Sequence, residues 1–345
     1  MGQVVVISTG GTIASRWQGS GFAADARGGD VLATAAVPEG VRVRVVDLMS
    51  VNSARLTTRD QLALLRTVHE VLADPGVDGI VVTHGTDTLE ESAFLLDLHH
   101  DDPRPVVLTG AQLPLEAVDG DGPRNLHDAL LAAGSPELRG YGVLVAFDGR
   151  IHAARGTIKV QTLAADAFAD PSGSPVADVE DGRVLVRRRP ERPAPLPLPA
   201  DAGALPRVDV VTHHCDADPL LLNAAVGAGA QGIVLVATGA GNATPEVVDA
   251  VAAAVSRGVL VALTTRVPAG AVAEIYTQGG AVDLAAAGAV LTGTLRAGQA
   301  RIAVLAAALT APGADGTDGT DETDRRTRVL RDLVGAPAVS VPAAA

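Results

Sequence analysis

The sequence predicts an α/β protein: a doubly wound, mostly parallel sheet in an N-terminal domain, followed by a smaller C-terminal α/β domain. Three observations carry this reading. Short β-branched runs alternate with amphipathic, alanine-rich stretches between residues 4 and 147, the pattern of a parallel sheet covered by helices. The apolar fraction is 47% while aromatics are only 2%, so the core must be built from Val, Leu and Ala. A proline-rich run then divides a chain of 345 residues, long enough for two domains.

The elements follow in order. Strands are expected at residues 4–8, 41–46, 79–83, 105–109 and 142–147. Helices are expected between them at 58–73, 89–100 and 122–133. Thr57 or Thr58 offers an N-cap with Asp60 in the opening turn, and Pro123 suits the first turn of the third helix. Residues 151–186 mix short strands and turns and read as a hairpin-like extension. From 187 to 206 come Pro190, Pro193, Pro195, Pro197, Pro199 and Pro206, too many for helix or sheet, so this is a semi-rigid linker. The expected organisation is a domain at 1–190, a linker at 191–206 and a second domain at 207–310. The second domain has strands at 208–212, 232–236 and 260–264 and a helix at 298–308. Residues 311–345 form a tail expected to be disordered: 311–324 are rich in Gly, Thr and Asp, a short helix is expected at 327–333, and the Ala/Pro/Val end is unstructured.

Charge and cysteine usage exclude several classes. A net charge of −13 argues against a nucleic-acid partner. A single cysteine, Cys215, excludes an intramolecular disulfide and suits a reducing compartment. No signal-like or membrane-span stretch is visible, so the expectation is a cytoplasmic protein without membrane contact. No metal is expected: His213-His214-Cys215-Asp216 would alternate across a strand, and no second cluster completes a set. No cofactor is expected either, since Gly239-Ala240-Gly241-Asn242 lacks the third glycine and the acidic residue of a dinucleotide fingerprint.

Two motifs carry chemistry. Thr9-Gly10-Gly11-Thr12-Ile13-Ala14 follows the first strand, and His84-Gly85-Thr86-Asp87-Thr88 follows the third. Both put hydroxyls at the carboxyl end of a strand, where open α/β sheets collect ligands. The flanking glycines let backbone N–H groups approach a developing oxyanion. Without an adjacent serine–histidine pair, the nucleophile is read as a threonine activated by its neighbours. Composition adds Lys159: of the 27 basic residues, all the others are arginine. An ammonium can give up its proton when desolvated and a guanidinium cannot, so proton transfer explains a lysine kept at one place.

The paired motifs resemble those of the bacterial-type L-asparaginase family, over about residues 4–308. The resemblance implies a two-domain amidohydrolase that converts L-asparagine and water to L-aspartate and ammonia. Thr12 matches the family's nucleophile, and Thr86, Asp87 and Lys159 match its proton relay. Ser53 matches the serine that contacts the substrate carboxylate, with Gly85 and Ala111 completing the pocket. Asp87 also faces the substrate ammonium. Asn242 matches the turn through which a neighbouring subunit completes the site, which implies a homotetramer built as a dimer of dimers. The only other partner expected is an amino-acid amide. Departures lie at Phe22, where the family has a loop tyrosine, and at Ala54, where it often has glutamine. The acidic residue of the second domain has no clear counterpart, with Glu274, Tyr276 and Asp283 in that region. The alternatives are a catalytically weak amino-acid sensor on the same fold and an amidotransferase subunit.

Overall fold

A computed structural model describes residues 2–200, 203–310 and 319–335. The chain divides into two compact units, Met1–Leu196 and Pro197–Ala345.

Unit 1 begins with β1 (Gly2–Gly10), whose fully buried Val4, Val5 and Ile7 make it a central strand. A small antiparallel hairpin, β2 (Ser15–Trp17) and β3 (Phe22–Ala24), follows, then the short helix α1 (Gly28–Leu32) and β4 (Val41–Val51). Next come α2 (Thr58–Leu72), β5 (Gly79–Thr83), α3 (Leu89–Leu98), β6 (Val106–Thr109), α4 (Gly122–Gly134) and β7 (Val143–Phe147). Helix α2 opens with a capping box: the Asp60 amide donates to Thr57 Oγ1 at 3.3 Å and the Thr57 amide to the Asp60 carboxylate at 2.8 Å. Such caps are worth about 1 kcal/mol.

Strands β7, β6, β5, β1 and β4 lie side by side in that order and all run parallel. Val4, Val6, Val81 and Val107 share one core with Val31 of α1 and Leu126, Ala129 and Leu130 of α4. Helix α3 packs on β6 and β7 and against α2, with residues outside that cluster. Helices thus cover both faces, the doubly wound arrangement expected.

The stretch expected as a hairpin-like extension does form short strands, most of which continue the main sheet. β8 (Arg150–Ala153), β11 (Ala177–Glu180) and β12 (Arg183–Val186) join its edge antiparallel, because tight turns reverse the chain. Only β9 (Ile158–Lys159) and β10 (Phe168–Ala169) form a separate ladder.

The described residues of the proline-rich run have no regular structure, but its first part is strapped to unit 1 rather than free. Arg192 Nε donates to Asp97 Oδ1 at 2.7 Å, and its Nη2 to the carbonyls of Asp97 and His100. The Leu196 amide donates to Leu98 O at 2.7 Å. Compact packing therefore runs to Leu196, past the expected start of the linker at 191.

Unit 2 is a four-stranded parallel sheet, β13 (Val208–Thr212), β14 (Gly232–Ala237), β15 (Leu260–Thr265) and β16 (Val290–Leu291). Helices α5 (Leu220–Gly227), α6 (Pro245–Val255) and α7 (Ala281–Ala286) share a core with Ile233, Leu235 and Val261. Helix α8 (Ala297–Leu309) packs on β13, β14 and β15 with residues outside that core.

A last helix, α9 (Gly319–Val334), lies within the expected tail and packs on α8, β15 and β16. It replaces the disorder expected at 319–324 and outgrows the helix expected at 327–333. Leu330, Leu333 and Val334 are buried, and this apolar stripe outweighs the polar composition of its first turns. Residues 311–318 and 336–345 lie outside the described residues. Among the described residues no helix is long and apolar enough to cross a membrane.

The strap yields a stability prediction. The Asp97 side chain is 4% exposed and also accepts the Val143 amide at 3.0 Å. Asp97→Ala removes the carboxylate that balances the Arg192 charge and leaves Arg192 Nε and the Val143 amide without their acceptor, so a loss of about 3–5 kcal/mol is expected in urea denaturation. A loss below about 1 kcal/mol, as for surface pairs, would refute the anchoring role.

Candidate active site

The parallel strands bring four loops to one edge. Ser8 pairs with Thr83, Thr83 with Thr109, and Gly10 with Val51, so the carboxyl ends of β1, β4, β5 and β6 lie together. The chain passes from β1 to β4 on one side, then to β5 on the other. The β1/β5 boundary is therefore the topological switch point, where such sheets bind ligands.

The loops after β1 and β5 touch there. Gly10 and Gly11 have φ of 99° and 84°, a region costly for residues with a Cβ. A Cβ on Gly11 would stand 2.3 Å from Gly85 Cα. Thr9 Oγ1 donates to Thr83 O at 2.9 Å, a second tie between the loops. Thr12 opens the 3-10 turn Thr12–Ala14 and is half-buried.

Ser53 supports the second loop. A Cβ on Gly85 would stand 2.6 Å from Ser53 Oγ. That oxygen accepts the Asp87 amide at 3.2 Å, and Ser53 O accepts the Thr88 hydroxyl at 2.9 Å. Helix α3 has Thr88 at its N-cap without a side-chain cap bond.

Lys159 arrives from β9. Its Nζ donates to Thr86 Oγ1 at 2.7 Å and to Asp87 Oδ1 at 2.9 Å. Thr86 Oγ1 in turn donates to Gln112 Oε1 at 3.3 Å. Hydroxyl, ammonium and carboxylate are thus in direct contact, an arrangement able to move a proton. The adjacent His84 takes no part: Nδ1 donates to Gly85 O at 2.8 Å, Nε2 has no partner, and burial holds its pKa down to about 4.

The loop after β6 is held by residues that the motifs did not reveal. The Asp121 carboxylate accepts the amides of Gln112 and Leu113, and Asn125 Nδ2 donates to Gly110 O at 3.0 Å. Ala111 is completely buried beside them. Glu90, also missed, accepts the Lys159 amide on Oε2 at 2.6 Å. In sequence it is merely an acid in the first turn of a helix. Among the described residues, no hydrogen bond engages the buried backbone amides of Gly85, Thr86 and Ala111. Buried amides seldom stay unpaired, so these donors suit a ligand.

Thr12, Ser53, Gly85, Thr86, Asp87, Ala111 and Lys159 all belong to unit 1, whereas Asn242 belongs to unit 2. There Asn242 closes a turn with Thr238, accepting its amide at 2.9 Å and its hydroxyl at 2.8 Å, while Oδ1 is buried without a partner. Phe22 pairs with Trp17 across the β2–β3 hairpin, ring centroids 5.2 Å apart, and both are more than half exposed. Tyr276, in unit 2, is also exposed. Among the described residues no group of His, Cys, Asp and Glu is arranged to hold a metal.

Comparison with known proteins gives a consistent picture. Residues 3–192 match the asparaginase N-terminal family model, and residues 207–316 match the glutaminase/asparaginase C-terminal domain. The chain is 37% identical to an L-asparaginase of Bacillus licheniformis over 299 residues, 84% of this chain and 90% of that protein. It is 33% identical to a glutaminase-asparaginase of Pseudomonas fluorescens biotype A, over 78% of this chain and 77% of that one. The crystal structure of a probable cytoplasmic L-asparaginase from Campylobacter jejuni superposes with a TM-score of 0.82 at 27% identity, covering 94% of this chain and 99% of that one.

The Gly11–Gly85 contact is directly testable. Gly11→Ala is expected to cost about 1–3 kcal/mol through backbone strain and the parting of the loops. Gly19, φ 82° with nothing within 4 Å of a Cβ, is the control, because Gly19→Ala meets only the strain. Equal shifts of the urea midpoint in both variants would show that the contact carries no weight.

Proposed function

The chain belongs to the asparaginase family, and on that premise we propose that it hydrolyses the side-chain amide of L-asparagine through an acyl-enzyme on Thr12. The observation that carries the reading is the contact of Lys159 Nζ with both Thr86 Oγ1 and Asp87 Oδ1. Supporting it are the unpaired amides of Gly85, Thr86 and Ala111 beside the same loops.

The chemistry runs in two halves. Thr12 Oγ attacks the amide carbon, and the oxyanion is stabilised by backbone N–H donors. The carbon–nitrogen bond breaks, the proton of Thr12 ends on the leaving nitrogen, and ammonia departs. Water then attacks the ester, assisted by Lys159 and Thr86. The ester bond breaks, one water proton restores the Thr12 hydroxyl, and aspartate leaves. Asp87 holds the ammonium of Lys159 and faces the substrate's α-ammonium, while Ser53 contacts its carboxylate.

Asn242 has its role in the site of a neighbouring copy, in a homotetramer made as a dimer of dimers. Its buried, unpartnered Oδ1 supports this. The exposed free Cys215 suits a reducing compartment, so the same reading puts the enzyme in the cytoplasm. Phe22 cannot give Thr12 a hydrogen bond, which favours a second reading, a catalytically weak amino-acid sensor.

Ammonia release from asparagine by the purified protein separates the two readings: turnover supports the enzyme, and binding without turnover supports the sensor. Lys159→Arg is expected to lower kcat by roughly 10²–10⁴-fold, the usual weight of a general acid–base group, with the fold intact by circular dichroism. Retention of half the activity would make Lys159 structural. Thr12→Ala is expected to bind aspartate but to trap no acyl adduct in rapid-quench mass spectrometry. An adduct mapped to Thr86 in the wild type would reverse the assignment. A monomer by light scattering at micromolar concentration would remove the shared site.

A further inference from the structure

Resting on the amidohydrolase reading above, we propose that Glu90 is the positioning residue of Lys159: its carboxylate clamps the lysine's backbone, and its charge state sets how the ammonium is presented to Thr86 and Asp87. The strand β9 is only Ile158–Lys159, paired with a partner equally short, β10. Such a strand has little rigidity of its own. The hydrogen bond from the Lys159 amide to Glu90 Oε2, at 2.6 Å, is short and charge-assisted when the carboxylate is ionised. Lys159 is thereby held at both ends by one five-residue stretch of chain. Thr86 and Asp87 take the ammonium, and Glu90 takes the backbone.

An acid in the first turn of a helix usually serves the helix dipole or a capping box. Glu90 instead spends Oε2 on a segment 69 residues away. Among the described residues, the charged groups that act on it are Lys159, from β9, and Glu91, on its own helix. Burial, reinforced by Glu91, raises its pKa to about 7 against the opposing pull of the Lys159 amide and ammonium. Glu90 therefore changes charge near neutral pH. As pH rises through neutrality the carboxylate ionises, the clamp tightens, and the ammonium gains a second negative neighbour. The ionised form is the productive one.

The sequence makes this unusually easy to read, since Lys159 is the only lysine. Lysine isotopically labelled at Cε gives a single resonance from the full-length protein. In the wild type without substrate, that resonance is expected to inflect near neutral pH, and Glu90→Gln, which keeps an acceptor but no charge, is expected to abolish the inflection. In turnover, Glu90→Gln is expected to lower kcat by about ten- to a hundredfold, as misplacement of a reacting group does. KM is expected to stay nearly unchanged and the rise of kcat through neutral pH to disappear. A wild-type resonance without an inflection near neutrality overturns the proposal, as does a Glu90→Gln enzyme that keeps the same inflection and the same pH limb. A wild type that releases no ammonia while its resonance inflects, with the inflection lost in Glu90→Gln, sinks the amidohydrolase reading and upholds the clamp.

Discussion

The chemistry of unit 1 depends on two backbones meeting where neither carries a side chain. At the β1/β5 boundary the parallel strands are in register up to Ser8 and Thr83, and the chain then departs toward opposite sides of the sheet. Divergence of this kind opens a crevice, which is why ligands bind at switch points. A crevice alone would leave the hydroxyls after the two strands on separate walls. Gly11 resting on Gly85 Cα, with Gly85 in turn resting on Ser53 Oγ, stacks the loops after β1, β5 and β4 into one floor. The approach distances leave no room for a methyl group at either glycine.

Energetics separates the ion pair of Lys159 with Asp87 from a pair that stabilises the fold. The Asp87 side chain is 55% exposed and that of Lys159 19%. Pairs this open to water contribute about 0–1 kcal/mol, so stability does not explain it. The contrast is Arg192 with Asp97, where the carboxylate is 4% exposed and the pair ties a proline-rich strap to α3. One pair holds the fold together and costs dearly if broken. The other orients an ammonium on a hydroxyl, a function that asks for geometry rather than binding energy.

The sequence was most legible where one physical signal dominated. Val4, Val5 and Ile7 could only be a buried strand, and the strands expected at 79–83 and 208–212 have those bounds. Lys159 stood out because every other lysine-or-arginine position is arginine. Glu90, Gln112, Asp121 and Asn125 did not stand out, because an acid or amide near a helix start has a generic explanation. Their work depends on contacts across 69, 26, 9 and 15 residues, which no local pattern encodes. The part of helix α9 that precedes the helix expected at 327–333 was hidden for a different reason. The helix's burial resides in Leu330, Leu333 and Val334, while Asp, Thr and Arg dominate the rest. That the hairpin-like stretch at 151–186 continues the main sheet was not legible, because strands that join a sheet edge antiparallel look like any hairpin.

An interior this poor in aromatics and this rich in buried ionisable groups has two opposed responses to pH. Burial holds His84 and His152 at about 4. Their folded pKa lies below the unfolded value, so the stability they lend is present above about 6.5 and is lost as pH falls toward 4. Glu90 and Asp128 are shifted the other way, upward by burial. Their contribution is present at low pH and is lost as pH rises, for Glu90 between its ordinary value near 4.5 and about 7. The shifts of His84, His152 and Glu90 are each worth a few kcal/mol, a sizeable share of a typical folding free energy. The two sets partly cancel, so the fold is buffered in the interval where Glu90 changes charge. A protonation beside Lys159 can then alter the proposed relay without unfolding the loops that hold it.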